Sequence, residues 1–294
     1  MSDGIEGLSR RDFMGSLAGA LVAARGLGGM ANPRASDLVA PAGSARIERI
    51  GVQLYTVRDA FGKDPAGTLE RIAAIGYREV EFAGYANQSP EALRQILDRV
   101  HLAAPSGHLP FESLDKDWDR TLDEAVTLGH RYAVIAWIDD TFRKTLDDWR
   151  RLGERFNRAA ATAKKHGLGF AYHNHDFEFT PLEGKLPYDV LLASTDPALV
   201  RMEMDLYWIT KAGYKPETYF AKYPGRFPMV HVKDSAGPPE NRMVDVGQGR
   251  IDWPHLFSLR KQAGIEHFFV EHDEPGDAFA SIKRSYEYLE KLRF

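Results

Sequence analysis

Imidazole and carboxylate side chains recur in this sequence directly after short apolar runs. His173 and His175 flank Asn174 after one such run, and Asp205 ends another. Later runs are followed in the same way by His231, Lys233, Glu271 and Asp273. Imidazoles and carboxylates that converge can hold Mn²⁺, Zn²⁺, Co²⁺ or Fe²⁺, whereas Ca²⁺ prefers oxygen ligands alone. The pattern therefore predicts a site for one divalent metal ion.

Earlier apolar runs end in polar or aromatic residues that could line the same site. These residues are Gln53, Tyr55, Glu81, His108 and Trp137, and Trp208 follows Asp205 at a short distance. Small-molecule pockets are typically walled by aromatic rings with a few placed polar groups. We therefore interpret these six residues as candidate substrate-binding residues.

The apolar runs alternate with amphipathic segments along the whole chain after residue 46. Eight runs, from 47–55 to 268–271, are each followed by a segment with helical spacing, the last being 277–292. Strict alternation favours a parallel sheet covered by helices, and eight units favour a single (β/α)8 TIM barrel. A doubly wound open sheet is the alternative, but no Gly-x-Gly-x-x-Gly follows the first strand. In a barrel the predicted site residues would meet at the mouth formed by the strands' carboxyl ends.

Composition narrows the class of function. Hydrophobic and charged residues make up 44% and 27% of the chain, as in an ordinary globular protein, and the net charge is −4. This mild acidity argues against nucleic acid as a partner, because a nucleic-acid binder shows a basic face. The chain has no cysteine, which excludes disulfides and thiolate metal ligands.

The N-terminus carries an arginine pair, Arg10-Arg11, before an apolar run of small residues at 14–24. That run is too short to span a bilayer, which takes about 20 residues. It resembles the twin-arginine signal of bacterial proteins that are exported already folded. We expect a signal peptide and linker over residues 1–36, a barrel over 46–294, recognition by the twin-arginine export machinery, and a periplasmic or otherwise exported location.

Six segments appear in a recognisable order: Gly51-Val-Gln-Leu-Tyr55, Tyr172-His-Asn-His175, Met204-Asp-Leu-Tyr-Trp208, Val230-His-Val-Lys-Asp234, Val246-Gly-Gln-Gly-Arg-Ile-Asp-Trp253 and Val270-Glu271. With them the chain resembles the sugar phosphate isomerase/epimerase family, which has a xylose-isomerase-like TIM barrel. The resemblance implies one divalent metal bound by Glu, Asp, His and Glu from strands five to eight. Asp205, His231 and Glu271 match this set. The first glutamate does not match, and either His173 replaces it or Glu178 reaches back from the loop.

The resemblance implies a divalent-metal-dependent isomerase or epimerase that acts on an unphosphorylated sugar or keto-sugar. The proton next to a metal-bound carbonyl would be removed by His175, with Glu271 or Glu178 assisting and Lys233 stabilising the oxyanion. One alternative is a lyase or dehydratase that catalyses β-elimination on a 3-keto-glycoside or keto-cyclitol. Another is a non-enzymatic exported barrel that binds sugar on aromatic rings. Barrels of this type often pair, so a homodimer is one expected state.

Overall fold

The computed structural model describes residues 43–294. The predicted signal, including Arg10 and Arg11, lies outside the described residues. Eight parallel strands close into a barrel in which each strand pairs with its neighbours in sequence and the last pairs with the first. They are β1 (Ile50–Gln53), β2 (Glu79–Phe82), β3 (Ala103–His108), β4 (Tyr132–Ile135), β5 (Gly169–His173), β6 (Val200–Asp205), β7 (Met229–Val232) and β8 (His267–Val270). The predicted (β/α)8 barrel is confirmed.

Helices connect consecutive strands. They are α1 (Arg58–Lys63), α2 (Pro65–Ile75), α3 (Pro90–Val100), α4 (Ser113–Lys116), α5 (Trp118–Leu128), α6 (Leu146–Lys165), α7 (Pro187–Ser194), α8 (Leu206–Lys211), α9 (Pro216–Lys222), α10 (Trp253–Ser258), α11 (Arg260–Ala263) and α12 (Ala278–Lys291). Among the described residues, no helix is long and apolar enough to cross a membrane.

Three predicted elements have different bounds in the structure. The first strand ends at Gln53, because its side-chain oxygen accepts the Tyr55 N–H and starts a 3-10 turn over Leu54–Val57. The sequence pattern predicts a helix over 142–166, but α6 begins at Leu146, because Thr145 and Asp148 cap its first turn reciprocally. The pattern also predicts one helix over 253–263, and in the structure this segment is divided between α10 and α11 at Leu259.

An apolar layer fills the barrel below its polar mouth. It consists of Val134, Ala171, Met229 and Phe269, all fully buried. Gly51 is required beside it, since a Cβ at that position would lie 2.6 Å from the Phe269 ring. The Phe269 ring also lies 6.2 Å from the His231 ring, centroid to centroid. The polar groups at the mouth therefore lie against an apolar layer, and electrostatic interactions there are stronger than in water.

Candidate active site

A cavity of about 460 Å³ opens at the carboxyl ends of the strands. Its lining residues are Tyr55, Arg58, His108, Ala136, Trp137, His173, His175, Lys233, Glu271, Asp273 and Glu274. Most of the sequence-predicted site residues therefore face one cavity. Those that do not face it are described below by their contacts.

Glu203 lies at the centre of a cluster of imidazoles beneath the cavity. Its Oε2 is 2.9 Å from His108 Nε2, 3.2 Å from His173 Nδ1 and 3.2 Å from His231 Nε2. Sequence reasoning missed Glu203, which lies within β6 between two methionines. Its position two residues before Asp205 was the available signal, because residues i and i+2 of a strand share a face.

Glu81 joins the same cluster from β2. Its Oε2 lies 2.6 Å from His231 Nε2 and 3.2 Å from His108 Nε2, and it accepts a hydrogen bond of 2.7 Å from Gln53 Nε2. Burial lowers the pKa of His108, but Glu81 and Glu203 outweigh burial and raise it to about 9. Gln53, Glu81 and His108, predicted to bind substrate, are therefore linked to the His231 network.

A second cluster lies toward the mouth, around Lys233. Its Nζ is 2.7 Å from Glu271 Oε2, 3.1 Å from Asp205 Oδ2 and 2.8 Å from Asp273 Oδ1. Glu271 Oε2 also lies 2.6 Å from His231 Nδ1. Burial would raise the pKa of Glu271, but the charges of Lys233 and His231 hold it well below its usual range.

Asp205 has two roles at the start of α8. Its Oδ1 caps the helix by accepting hydrogen bonds from the backbone N–H groups of Tyr207 and Trp208. Its Oδ2 is buried within ion-pair distance of Lys233, but it has no hydrogen-bond partner among residues 43–294. Burial raises the pKa of Asp205 to about 6, although Lys233 and His231 oppose this shift.

His175 stands on the loop after β5, among aromatic rings. Its ring lies 5.4 Å from Trp137, 5.5 Å from Phe177 and 5.8 Å from Trp208, between centroids. Its Nδ1 has no hydrogen-bond partner among the described residues. Burial, and next the charge of Lys233, lower the pKa of His175 to about 3. The imidazole is therefore neutral at physiological pH, and its unpartnered Nδ1 is buried.

Glu178 lies outside both clusters. One carboxylate oxygen accepts a 2.5 Å hydrogen bond from the Tyr172 hydroxyl, and the other accepts a 2.9 Å bond from the His175 backbone N–H. Of the two candidates for the first metal ligand, the structure brings His173 to the other ligand candidates and leaves Glu178 supporting the loop. Burial raises the pKa of Glu178 to about 8.

Aromatic side chains border the cavity. Tyr55 and Trp137 line it and are 43% and 58% exposed, which leaves their faces open to a ligand. Trp208 lies behind this cavity and lines a neighbouring one of about 520 Å³. Its ring is 5.7 Å from Lys233 Nζ.

Two groups of side chains could hold a metal ion, with ligand atoms within 4.8 Å of one another. The inner group is His108, His173, Glu203 and His231, and the outer group is Asp205, His231 and Glu271. Buried oxygens without hydrogen-bond partners among residues 43–294 occur in both, namely Glu203 Oε1 and Asp205 Oδ2. Mixed nitrogen and oxygen donors suit a transition metal, so the residues fit the metal that the sequence predicted.

Comparisons with known proteins agree with this architecture. A model of the family described as xylose isomerase-like TIM barrel matches residues 69–292. Inosose dehydratase from Bacillus anthracis is 25% identical over 169 residues, which is 51% of this chain and 54% of that protein. Inosose dehydratase from Clostridium perfringens is 21% identical over 261 residues, covering 76% of this chain and 86% of that protein. The chain thus spans about half the length of the Bacillus relative that it matches.

Solved structures with the same fold include a sugar phosphate isomerase/epimerase from Parabacteroides distasonis. It superposes with a TM-score of 0.74 at 26% identity and covers 83% of this chain and 98% of its own. A structure of L-ribulose 3-epimerase, at 14% identity and a TM-score of 0.63, shares the fold; it covers 82% of this chain and 93% of its own.

Proposed function

Because this chain belongs to the xylose isomerase-like TIM barrel family, we propose that it is a sugar-modifying enzyme that catalyses β-elimination. The substrate would be an unphosphorylated keto-sugar, 3-keto-glycoside or keto-cyclitol. The inosose dehydratase relatives support this choice over the isomerase or epimerase expected first from the sequence.

One observation carries the proposal: the imidazole of His175 and the ammonium of Lys233 border the same cavity. Epimerisation by a glutamate pair needs a proton-transfer group on each face of the substrate. Here His173 stands in place of the first glutamate, with Nδ1 directed at Glu203. Glu271 Oε2 is occupied by His231 and Lys233. His175 is left as the free base.

Elimination requires only one such group. His175 removes the proton from the carbon next to the ketone, and the electron pair passes into an enolate whose oxygen is stabilised by Lys233. The enolate re-forms the ketone as the bond from the β-carbon to its oxygen breaks. His175 returns the proton to the departing oxygen, which leaves as water or an alcohol, so the base is regenerated. A divalent metal, when bound at these clusters, supplies Lewis acidity that polarises the ketone.

The experiment is to incubate the protein with a keto-cyclitol and with a 3-keto-glycoside and to follow ultraviolet absorption. Elimination produces an α,β-unsaturated ketone, which absorbs, and replacement of His175 by Gln should slow it by about 10²–10⁴-fold. His255→Gln, on the exposed face of α10, is the matched control and should retain activity.

Isomerase or epimerase activity is the second candidate, favoured by the Parabacteroides distasonis structure. It would give a new sugar by NMR without an ultraviolet band, and that result would replace the elimination proposal. Binding of sugar without any product would leave the non-enzymatic barrel. We also propose that the protein is exported, which the sequence at Arg10-Arg11 supports.

A further inference from the structure

We propose that His108, His173, Glu203 and His231 form a metal site inside the barrel, beneath the Asp205–Glu271 cluster. It would take a transition-metal dication such as Mn²⁺, Fe²⁺, Co²⁺ or Zn²⁺. This inner site shares only His231 with the strand five-to-eight set of Asp205, His231 and Glu271. His108 becomes a ligand instead of a substrate contact, and Glu203 enters as the carboxylate.

The first argument is how the imidazoles are arranged around Glu203. Three ring nitrogens approach its Oε2 at 2.9–3.2 Å, whereas its Oε1 is buried and has no partner among the described residues. A carboxylate that only accepts hydrogen bonds has two oxygens with which to share its donors. The four donor atoms therefore lie close enough together to share one cation.

The second argument is the spacing. Ligand atoms that lie about 2.0–2.2 Å from a metal are about 3 Å apart at right angles and about 3.4 Å apart in a tetrahedron. The separations of 2.9, 3.2 and 3.2 Å from Glu203 Oε2 fall in this range. In the outer group, Asp205 Oδ2 and His231 Nδ1 are 4.0 Å apart, a separation that fits opposite but not adjacent positions around one ion.

The third argument is charge. The outer carboxylates already have a cation, because Lys233 Nζ lies 2.7 Å from Glu271 and 3.1 Å from Asp205. The inner carboxylates Glu81 and Glu203 are fully buried and face only imidazoles and the Gln53 amide. Buried charges are costly unless they are paired or coordinate a metal. A dication in the inner group would take the place of protonated imidazoles as the partner of both carboxylates.

The donor set selects the class of ion. Three imidazoles and one carboxylate suit a first-row transition metal and do not suit Ca²⁺ or Mg²⁺, which prefer oxygen. His108 and His173 also line the cavity, so an ion at this site would be reached from the mouth. The assignment concerns metal binding alone and holds whichever reaction the enzyme catalyses.

The experiment locates the ion directly in the full barrel. Crystals soaked in Mn²⁺ or Zn²⁺ are measured at the absorption edge of the metal, and metal content is determined by elemental mass spectrometry after dialysis. The expected anomalous peak lies within about 2.5 Å of Glu203 Oε2, with about one equivalent of metal per chain. Glu203→Gln should weaken binding by more than about 100-fold, beyond the 10–100-fold typical of groups behind a ligand.

Asp205→Asn is the matched variant and should retain metal affinity within a few-fold. Thermal unfolding of both variants checks that they fold. A peak between Asp205 and Glu271 would overturn the assignment, as would loss of metal in Asp205→Asn with retention in Glu203→Gln. Absence of any metal in wild-type crystals at millimolar Mn²⁺ and Zn²⁺ would overturn it as well.

Discussion

Lys233 Nζ lies 2.7 Å from Glu271 Oε2, and both side chains are almost completely buried. Asp205 and Asp273 are also within 3.1 Å of this ammonium, so one buried cation compensates three carboxylates where the cavity meets the outer cluster. The charges of these carboxylates raise the pKa of Lys233 well above its usual value, against the opposing effect of burial. The ammonium therefore stays charged, and it borders the cavity in which an oxyanion would form.

Lys233→Met should remove both the charge that compensates the buried carboxylates and the charge that stabilises the oxyanion. It leaves buried carboxylates without their cation, and we expect a loss of about 3–5 kcal/mol in the free energy of unfolding. Activity should fall by about 100-fold or more, because the developing enolate loses its charge partner. Urea unfolding and turnover of the keto-cyclitol measure the two effects.

Lys222→Met is the control for this substitution. Lys222 pairs with Asp189 at 3.6 Å, and its side chain is 56% exposed. An exposed pair contributes about 1 kcal/mol or less, so stability and turnover should change little. Equal effects of the two substitutions would contradict the role given to Lys233.

The sequence predicted the elements with strong end signals. Its pattern predicts helices over 65–75 and 90–100, and α2 and α3 have these bounds, because a proline begins each helix and Asp64 and Ser89 cap them. The break between α10 and α11 has no proline or glycine to mark it. The alternation of side chains along each strand predicted that the polar residues meet at the mouth of the barrel. It could not predict how far below the mouth each side chain lies. Glu203 was missed because it lies before the end of its strand, and the sequence of one strand gives no signal of the partners that other strands supply.

Asp234 should prove essential for the loop after β7. Its buried carboxylate accepts hydrogen bonds from five donors: the backbone N–H groups of Ser235, Gly247, Gly249 and Ile251, and Trp253 Nε1. Asp234→Asn turns one acceptor into a donor that faces other donors. We expect a loss of about 3 kcal/mol or more in unfolding free energy and faster proteolysis within 236–250.

Asp252→Asn is the comparison for that variant. Asp252 caps α10 through one hydrogen bond to the His255 N–H at the surface. Asparagine is an equally good cap, so its proteolysis pattern should match wild type. Protection of 236–250 in Asp234→Asn would show that the loop does not depend on this carboxylate.

Trp137 should contribute to substrate binding more than to the chemical step. Its ring is 58% exposed on the cavity wall, 5.4 Å from the His175 ring. Trp137→Ala should raise KM by about 10-fold, equivalent to about 1.4 kcal/mol of lost contact, with kcat nearly unchanged. Phe142→Ala removes another exposed ring, one that packs on Phe111 away from the cavity lining, and should leave KM unchanged. A fall in kcat alone would instead give Trp137 a role in positioning His175.

The arginine pair at the N-terminus should direct export. Replacement of Arg10 and Arg11 together by Lys should hold the protein in the cytosol, because the export machinery recognises the pair itself. Arg25→Lys, beyond the apolar run, is the matched control. Cell fractionation with an antibody to the barrel measures the distribution. Equal export of both variants would mean that this segment does not act as a twin-arginine signal.

His130 should make the fold less stable in acid. Its Nδ1 lies 2.7 Å from the Ala104 carbonyl oxygen, and its Nε2 is buried without a hydrogen-bond partner among the described residues. Burial lowers its pKa from an unfolded value near 6.5 to about 4. Between those pH values the unfolded chain binds a proton that the native protein does not, so stability falls as pH falls. From pH 7.5 to pH 5 the loss attributable to this group is about 2 kcal/mol.

His130→Asn tests that linkage, because the amide can donate to Ala104 but cannot be protonated. The variant should be less stable than wild type at pH 7.5, yet lose about 2 kcal/mol less than wild type on transfer to pH 5. Urea unfolding of wild type and variant at both pH values gives the difference between their losses of stability. The titration of all other groups cancels in this difference, because it is the same in both proteins. His255→Asn, at an exposed position, should follow the wild-type pH dependence. Equal losses of unfolding free energy in wild type and His130→Asn would mean that protonation of His130 does not cause the loss of stability in acid.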